Sequence, residues 1–309
     1  MALGANNISA FVPEVWSKKL ALVEKVMTSF ANDFTNREWE GEIKNFGDTV
    51  RISLPDPANI SIGSGIVANT SSVAPIQKLL VIDKSKNVAF KFNDIEQAQS
   101  QFDLIEGYLN MGLQKISDQI SLEMQQAVFD DTRIEEKGTS AAAVDVTVDN
   151  VYDFVVDIKV ALTKKGVLSS EGWYMYKGAS EEAKQLNPML VVTPEVYGVF
   201  LKSTQLTHPT VAGDDILKSG QRKQIAGFEI IQDTNISNVT GASATAQPFI
   251  AGTKMGITYA TQFQKVEAIR DTDSFADIVR ALQLYGFLIV HPECLIKGWI
   301  DPSATVVGA

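Results

Sequence analysis

Few residues of this sequence combine reactive side chains with the spacing that a catalytic motif requires. The strongest enzyme-like pattern is Gly63–Ala68 (GSGIVA), which fits G-x-G-x-x-[GA], and Asp83 follows 20 residues after Gly63. In a dinucleotide site this pattern opens a helix, so that the phosphates meet the helix N-terminus. Here the segment 69–75 (NTSSVAP) follows, which is typical of a loop or strand. We therefore interpret these glycines as loop residues and predict no cofactor.

A second reactive pattern is His291–Cys294 (HPEC), where an imidazole and the single thiol of the chain lie close in sequence. A cysteine nucleophile needs a base within hydrogen-bond reach, and adjacency across a proline turn does not supply that geometry. We interpret the segment as a strand that ends at a proline turn, with Cys294 as a small buried residue.

The acidic pair Asp271 and Asp273 could hold a cation through carboxylate oxygens. Our preferred interpretation is that Asp273 or Ser274 caps a turn. The sequence contains no P-loop, no G-x-S-x-G elbow and no H-E-x-x-H pair. We therefore predict no catalytic residue and no metal ligand, and we expect that the chain is not an enzyme.

Composition excludes further classes of function. The 309 residues include two His and one Cys, which permits no internal disulfide and no structural Cys/His zinc site. The formal net charge of -10 argues against tight nucleic-acid binding, which needs Lys and Arg. The longest apolar run, 281–290, is too short to span a membrane. Residues 1–10 lack the pattern of a signal peptide, so we expect a soluble protein made inside the cell.

The acidic excess is concentrated in the first half of the chain. Residues 1–154 hold 13 Lys/Arg and 22 Asp/Glu, a balance of -9, whereas residues 155–309 hold 14 and 15, a balance of -1. Ten of the acids lie between Asp94 and Glu136, where the basic residues are Lys115 and Arg133. Such a charge run is most often a solvated face.

Hydrophobic periodicity predicts the elements of the first half. A small polar arm precedes a helix that begins near Phe11, and a long helix spans about residues 101–131 because apolar residues recur there every three or four positions. Between the two helices, three segments of alternating apolar and polar residues predict strands: 48–54, 78–83 and 87–92. A polar turn at 84–86 joins the last two. Since 55–75 is rich in Gly, Ser, Asn and Pro, we interpret 48–93 as a β-excursion with little local core.

The second half is predicted to be mixed α/β. Asp149 can cap a helix that runs to about Lys165. Pro194 begins a short helix that ends near Lys202, and only the second half of 274–290 is interpreted as a strand. The remaining predicted strands share runs of apolar or alternating residues: 189–193, 227–231, 248–251 and 263–269.

This order of parts resembles the major capsid protein of tailed bacteriophages, the Hong Kong 97-type fold. Three phrases are similar to strands of these coats: Gln224–Ile231 (QIAGFEII), Lys265–Arg270 (KVEAIR) and Arg280–Pro292 (RALQLYGFLIVHP). The resemblance covers nearly the whole chain and depends more on the order of parts than on any phrase. It implies an α+β fold with an N-terminal arm, an extended β-loop, a long spine helix, a peripheral domain and an axial domain.

The resemblance also implies boundaries. The arm and its helix would be 1–47 and the extended loop 48–93. The peripheral domain with the spine helix would be 94–148. The axial domain, with part of the peripheral domain, would be 149–262, and the closing peripheral-domain strands would be 263–309. Lys78, Lys84 and Lys86 lie where some members of the family crosslink to a neighbour, although the sequence identifies no partner for them.

The implied function is a virion coat subunit, made in the bacterial host cytoplasm, that assembles into hexamers and pentamers of an icosahedral head. Its implied partners are further copies of itself, a separate scaffolding protein, a portal, decoration proteins in some relatives, and enclosed double-stranded DNA bound without sequence specificity. We expect no membrane partner. Two alternatives are an encapsulin-type bacterial nanocompartment shell and, less favoured, a mixed α/β hydrolase around His291 and Cys294.

Overall fold

The computed structural model of the chain describes residues 29–37, 49–54, 76–93, 104–167, 188–203 and 224–302. The predictions made for the helix near Phe11, for the Gly63–Ala68 motif and for the segment 55–75 lie outside these residues. The chain forms two compact units, which we call unit 1 (1–17, 37–102 and 258–290) and unit 2 (18–36, 103–257 and 291–309).

Unit 1 is built from strands. A two-stranded antiparallel ribbon pairs β1 (Thr49–Leu54) with β2 (Ile76–Val81), in the register that places Thr49 opposite Val81. A three-stranded antiparallel sheet follows the order β10-β11-β3. Its strands are long: β3 (Lys84–Asn93), β10 (Ile257–Arg270) and β11 (Ala276–Ile289).

Two details of unit 1 differ from the sequence prediction. Residues 84–86 were predicted as a turn, but they begin β3, because Lys84 pairs with Tyr285 of β11 and the ladder continues from there. Strand β11 spans the whole of Ala276–Ile289 rather than its second half alone. In both cases cross-strand pairing over ten residues outweighs the local polar composition.

Gly286, a glycine near the end of β11, allows a close approach between the ribbon and the sheet. A Cβ atom at this position would lie 2.2 Å from the carbonyl oxygen of Val81 and 3.0 Å from Cα of Ile82. Because real Cβ atoms do not come this close to backbone, only glycine permits the crossing. A small buried cluster forms at the crossing: Ile52, Leu80, Ile82, Ala260 and Val290.

The long helix of unit 2 is confirmed as α2 (Leu104–Asp130), whose 27 residues span about 40 Å. It follows the short helix α1 (Ser29–Asp33) in the described chain. Six of its apolar residues are buried on one side: Leu109, Leu113, Ile116, Ile120, Met124 and Val128. The buried Lys297 caps its last turn, since its Nζ donates to the carbonyl oxygens of Phe129 (2.6 Å) and Asp131 (2.9 Å).

The core of unit 2 is a seven-stranded mixed sheet in the order β4-β12-β9-β6-β8-β7, with β5 also paired to β12. The strands are β4 (Glu135–Lys137), β5 (Val144–Asp145), β6 (Met189–Val192), β7 (Gln224–Ile225), β8 (Phe228–Gln232), β9 (Gln247–Gly252) and β12 (Leu295–Asp301). All residues of β6 and β9 are buried. Strands buried on both faces account for the continuous apolar runs in the sequence.

Two helices complete the core of unit 2, α3 (Val151–Lys164) and α4 (Pro194–Lys202). The predicted apolar face of α3 is buried as expected: Val151, Phe154, Val155, Ile158 and Leu162. Its edge-to-face contact with the sheet joins Phe154 to Phe249, with ring centroids 5.3 Å apart. The cap prediction is wrong, because Asn150 rather than Asp149 holds the N-cap position, and its side chain accepts from the N–H of Thr147 (2.7 Å).

Candidate functional site

The segment around the single cysteine forms a tight corner before β12. Residues Pro292–Cys294 form one turn of 3-10 helix, and the N–H of Cys294 donates to the carbonyl oxygen of His291 (3.1 Å). The imidazole Nδ1 of His291 lies 2.8 Å from Oε1 of Glu293, so the ring is paired with the carboxylate. This geometry agrees with the interpretation of the segment as a proline turn.

The thiol of Cys294 does not have the character of a nucleophile. Its pKa is raised to about 11, mainly by burial and then by the nearby Glu293 carboxylate, whereas a hydrogen bond with Thr253 acts in the opposite direction. A nucleophilic cysteine needs a depressed pKa, which a partner cation or imidazole supplies. The hydrolase alternative therefore gains no support from this corner.

The predicted acidic turn lies between β10 and β11, and its acceptor is Asp271 rather than Asp273 or Ser274. The Asp271 carboxylate accepts from the N–H of Asp273 (3.2 Å) and from Oγ of Ser274 (2.6 Å), and it pairs with Nζ of Lys91 (2.5 Å). These donors, Lys91 first, hold the pKa of Asp271 far below its usual range. In the part of the chain that the structure describes, no three His, Cys, Asp or Glu side chains gather as metal ligands.

The three lysines of the predicted loop region have different environments. Nζ of Lys78 donates to the carbonyl oxygen of Val290, and Nζ of Lys84 lies 4.1 Å from the centroid of the Phe287 ring. Lys86 lies in β3 opposite Gln283. Lys78 thereby joins β2 to Val290, which directly follows β11, and Lys84 joins β3 to β11.

Several acids of the run 94–136 have partners within unit 2. Asp131 forms a bidentate pair with Arg133 (2.6 Å at the shortest contact), and this guanidinium lowers the pKa of Asp131. Glu135 pairs with Lys165 (2.9 Å), and Oε1 of Glu136 accepts from the indole N–H of Trp299 (3.0 Å). The Asp131 pair is local to the turn after α2, whereas Glu135 and Glu136 join β4 to Lys165 and to Trp299 of β12.

A buried polar cluster that the sequence prediction missed connects α2 to the end of β8. Nε2 of Gln125 lies 2.6 Å from Oδ2 of Asp233, and Oδ1 of Asp233 accepts from the N–H of Asn235 (2.8 Å). The Asn235 amide donates to Asp118 (3.1 Å). Burial raises the pKa of Asp233, and the Asp118 carboxylate raises it further, against the lowering effect of the two hydrogen bonds. Sequence patterns point only weakly to this cluster, because its one sign is that a polar residue, Gln125, lies on the otherwise apolar stripe of α2.

Exposed apolar side chains mark surfaces that the isolated chain leaves in water. The described large apolar residues with such exposure occur on both units: Ile76, Leu79, Val81, Ile269 and Phe275 in unit 1, and Tyr108, Met111, Tyr152 and Val160 in unit 2. The three-stranded sheet also carries a groove of about 490 Å³, partly lined by Lys265, Glu267 and Arg280. These features favour contacts between proteins over a pocket for a small substrate.

Comparison with known proteins identifies the fold. No family model matches the chain, and no curated protein matches it. The structure resembles one from Mycobacterium phage Che8, with 20% identity and a TM-score of 0.69 over 89% of this chain and 91% of that chain. It resembles the capsid structure of cyanophage P-SCSP1u, with 12% identity and a TM-score of 0.58 over 83% and 84%. It also resembles a virus-like particle from Pyrococcus furiosus, with 12% identity and a TM-score of 0.55 over 93% and 98%.

The chain therefore has a capsid-protein fold of mixed α and β content, which confirms the predicted tailed-phage major capsid fold. The likeness spans at least 83% of the chain in each comparison, so both units belong to this fold. Among the helices of the described residues, none is long and apolar enough to cross a membrane.

Proposed function

We propose that the chain is a capsid shell protein that assembles with copies of itself. The observation that carries the proposal is the likeness to phage structures over nearly the full length of both chains, with a TM-score of 0.69 for the best superposed of the three. Residues exposed on the ribbon and on the turn after β10 support it, because assembly buries apolar surface that a monomer leaves in water.

In its finer form the proposal is a major capsid protein of the Hong Kong 97 type, arranged in hexamers and pentamers of an icosahedral head. Residues 1–47 would then be the arm, 48–93 the extended loop, 94–148 the peripheral domain with its spine helix, 149–262 the axial domain with part of the peripheral domain, and 263–309 the closing strands. The order of β1, β2, β3 and α2 agrees with that arrangement.

The proposed partners are a scaffolding protein, a portal, decoration proteins and enclosed double-stranded DNA. The net charge of -10 supports a wall that contains DNA without gripping it, since phosphate contacts need cations. In this proposal the subunit is made in the host cytoplasm and ends in the virion capsid.

The test is electron microscopy and light scattering of the purified chain, alone and coexpressed with its neighbouring genes. We expect uniform closed particles, with a scaffolding protein required for uniform size. A chain that stays monomeric at high concentration under every condition, including coexpression, would contradict the proposal.

A second candidate is an encapsulin-type compartment shell, favoured by the likeness to the virus-like particle from Pyrococcus furiosus over 98% of that chain. The two candidates differ in content and in genetic neighbourhood. Particles that package a cargo protein through a peptide and need no scaffold indicate a compartment. Portal and terminase genes beside this one, and particles filled with double-stranded DNA, indicate a phage head.

A further inference from the structure

The solvent side of α3 carries an apolar stripe that the core of unit 2 does not use. Tyr152 and Val160 are exposed over 42% and 44% of their surface, and Val156 between them is partly buried. The spacing i, i+4 and i+8 places these three side chains along one line of the helix. None of them packs against the buried cluster of unit 2, so the stripe is a second apolar face on the same helix.

A row of charges runs beside this stripe and changes sign along the helix. Asp153 and Asp157 lie towards the N-terminus of α3, and Lys164 is its last residue. The intervals of four and seven residues place all three on the same side of the helix. They are exposed, and none forms an ion pair or a side-chain hydrogen bond with another described residue. These charges are therefore available to a partner.

The helix dipole accounts for part of this pattern. Acids near the N-terminus of a helix and bases near its C-terminus are favourable in any helix. The dipole does not account for the apolar stripe, because a monomer gains nothing by leaving Tyr152 and Val160 in water. Single exposed apolar residues are ordinary on a protein surface, whereas several in line beside unpaired charges are typical of an interface.

The change of sign along the helix determines which partner fits. A face that is negative at one end and positive at the other is complementary to a copy of itself turned end for end. In an antiparallel pair, the charge rows of the two α3 helices meet on the same side, so Asp153 of each copy lies beside Lys164 of the other. The two apolar stripes meet next to these pairs. Their burial supplies affinity, and the charge pairs fix the direction.

We infer that the outer face of α3 is a docking surface through which two copies of this chain bind in antiparallel orientation about a two-fold axis. This inference rests on the proposed shell function and names one contact between its subunits. A contact that uses the same patch on both copies joins two of them and closes. Other surfaces of the chain must therefore extend the pairs into a shell.

The first experiment reverses the charges in two complementary variants of the full chain. The basic variant is Asp153→Lys with Asp157→Lys, and the acidic variant is Lys164→Glu. Both should fold, because the altered residues are exposed and unpaired, and circular dichroism of unassembled subunits checks this. We expect each variant alone to give about ten-fold fewer particles than wild type, since like charges then face each other. An equimolar mixture should restore the yield to within about two-fold of wild type, because unlike copies again join opposite charges.

The outcomes separate this inference from the proposed function. If each variant alone assembles as well as wild type, the inference is wrong while the shell function stands. If both variants fail and mixing does not restore assembly, a different surface or partner covers α3, and the inference is again wrong. If wild type does not assemble under any condition, including coexpression, the proposed function fails and the inference fails with it.

A second experiment detects the antiparallel pair directly. Chains carrying Asp153→Cys are mixed with chains carrying Lys164→Cys, assembled, and oxidised with oxidised glutathione. Eleven residues separate these positions, about 16 Å along one helix, so a disulfide between them requires two copies. We expect mass spectrometry to find the peptide that joins the two introduced thiols, and neither variant alone can form it. Particles without this link would overturn the inference.

Discussion

The two units of the chain obtain their stability in different ways. Unit 2 packs α3 and α4 against its seven-stranded sheet, and its described residues include a cluster of seventeen buried apolar side chains. In unit 1 the cluster that joins the ribbon to the sheet has five, and β2 buries only Leu80 fully. The three-stranded sheet is better packed, since Tyr259 and Tyr285 are buried with their rings 6.3 Å apart. Unit 2 therefore has the buried core of an independent domain, whereas the described ribbon of unit 1 has little core of its own.

The largest expected effect is the loss of a core aromatic in unit 2. Phe249→Ala removes a fully buried ring that contacts Phe154, and we expect the free energy of unfolding of unit 2 to fall by about 3–5 kcal/mol. Hydrogen exchange of peptides from β9 and β12 in unassembled subunits measures it. The matched control is Tyr152→Ala on the exposed face of α3, which should change stability by less than about 0.5 kcal/mol. Equal effects of the two substitutions would contradict the picture of unit 2 as a packed domain.

The next effect tests the crossing in unit 1. Gly286→Ala places a Cβ where the carbonyl oxygen of Val81 lies, so β2 must shift, at a cost of about 1–3 kcal/mol. We expect faster hydrogen exchange in β1 and β2 and unchanged exchange in β9. Gly198→Ala is the control, because its Cβ meets nothing within 4 Å on α4 and alanine favours helix there. If exchange in β1 and β2 is unaltered, the ribbon does not depend on this crossing.

A smaller effect concerns the buried carboxylate that joins α2 to β8. The pKa of Asp233 is raised in the folded state, so the folded chain holds this proton more tightly than the unfolded chain. The corresponding stability is present below the unfolded pKa, near 3.8, and is lost as pH rises through the folded value. Asp233→Asn removes the buried charge, and its amide can donate to Oε1 of Gln125, a buried acceptor without a partner, if the Gln125 amide rotates.

We therefore expect Asp233→Asn to raise the stability of unit 2 at pH 7 by about 1 kcal/mol and to flatten its dependence on pH between 4 and 7. Urea unfolding of unassembled subunits across this range measures both quantities. Asp118→Asn, which removes the second carboxylate, should act in the same direction and less strongly. A loss of stability at pH 7 for Asp233→Asn would show that the carboxylate is needed as a charged acceptor.

Sequence reasoning was most successful where local periodicity and tertiary packing agree. The stripes of α2 and α3 and the apolar runs of β6 and β9 predicted elements that the structure confirms within a few residues. It was least successful where distant pairing decides the structure. The polar residues 84–86 form strand only because β11, about 200 residues away, supplies their partners.

The Asp271 turn and the buried Gln125–Asp233 cluster show the same limit of prediction from sequence. Asp271 rather than Asp273 is the acceptor of its turn because Lys91, from β3, approaches the Asp271 carboxylate. The pairing of Gln125 with Asp233 joins residues 108 positions apart, and single-sequence patterns contain no signal for it. The exposure of Phe275 was equally invisible in the sequence, where an aromatic residue beside a strand suggests a core position.

The smallest expected effect compares two thiols placed in the two units. Native Cys294 of unit 2 is partly buried with a pKa of about 11, so its thiolate fraction at pH 7.5 is small and its reaction with maleimide should be slow. An introduced thiol in Phe275→Cys stands in water on unit 1 and should react at the rate of a free cysteine. Labelling of unassembled wild type and variant from pH 7 to 10, followed by mass spectrometry, measures the two rates. Rapid labelling of Cys294 at pH 7 would return the hydrolase alternative to consideration, because a low thiol pKa is what a nucleophile requires. Slow labelling is the expected result for a thiol that contributes packing to unit 2.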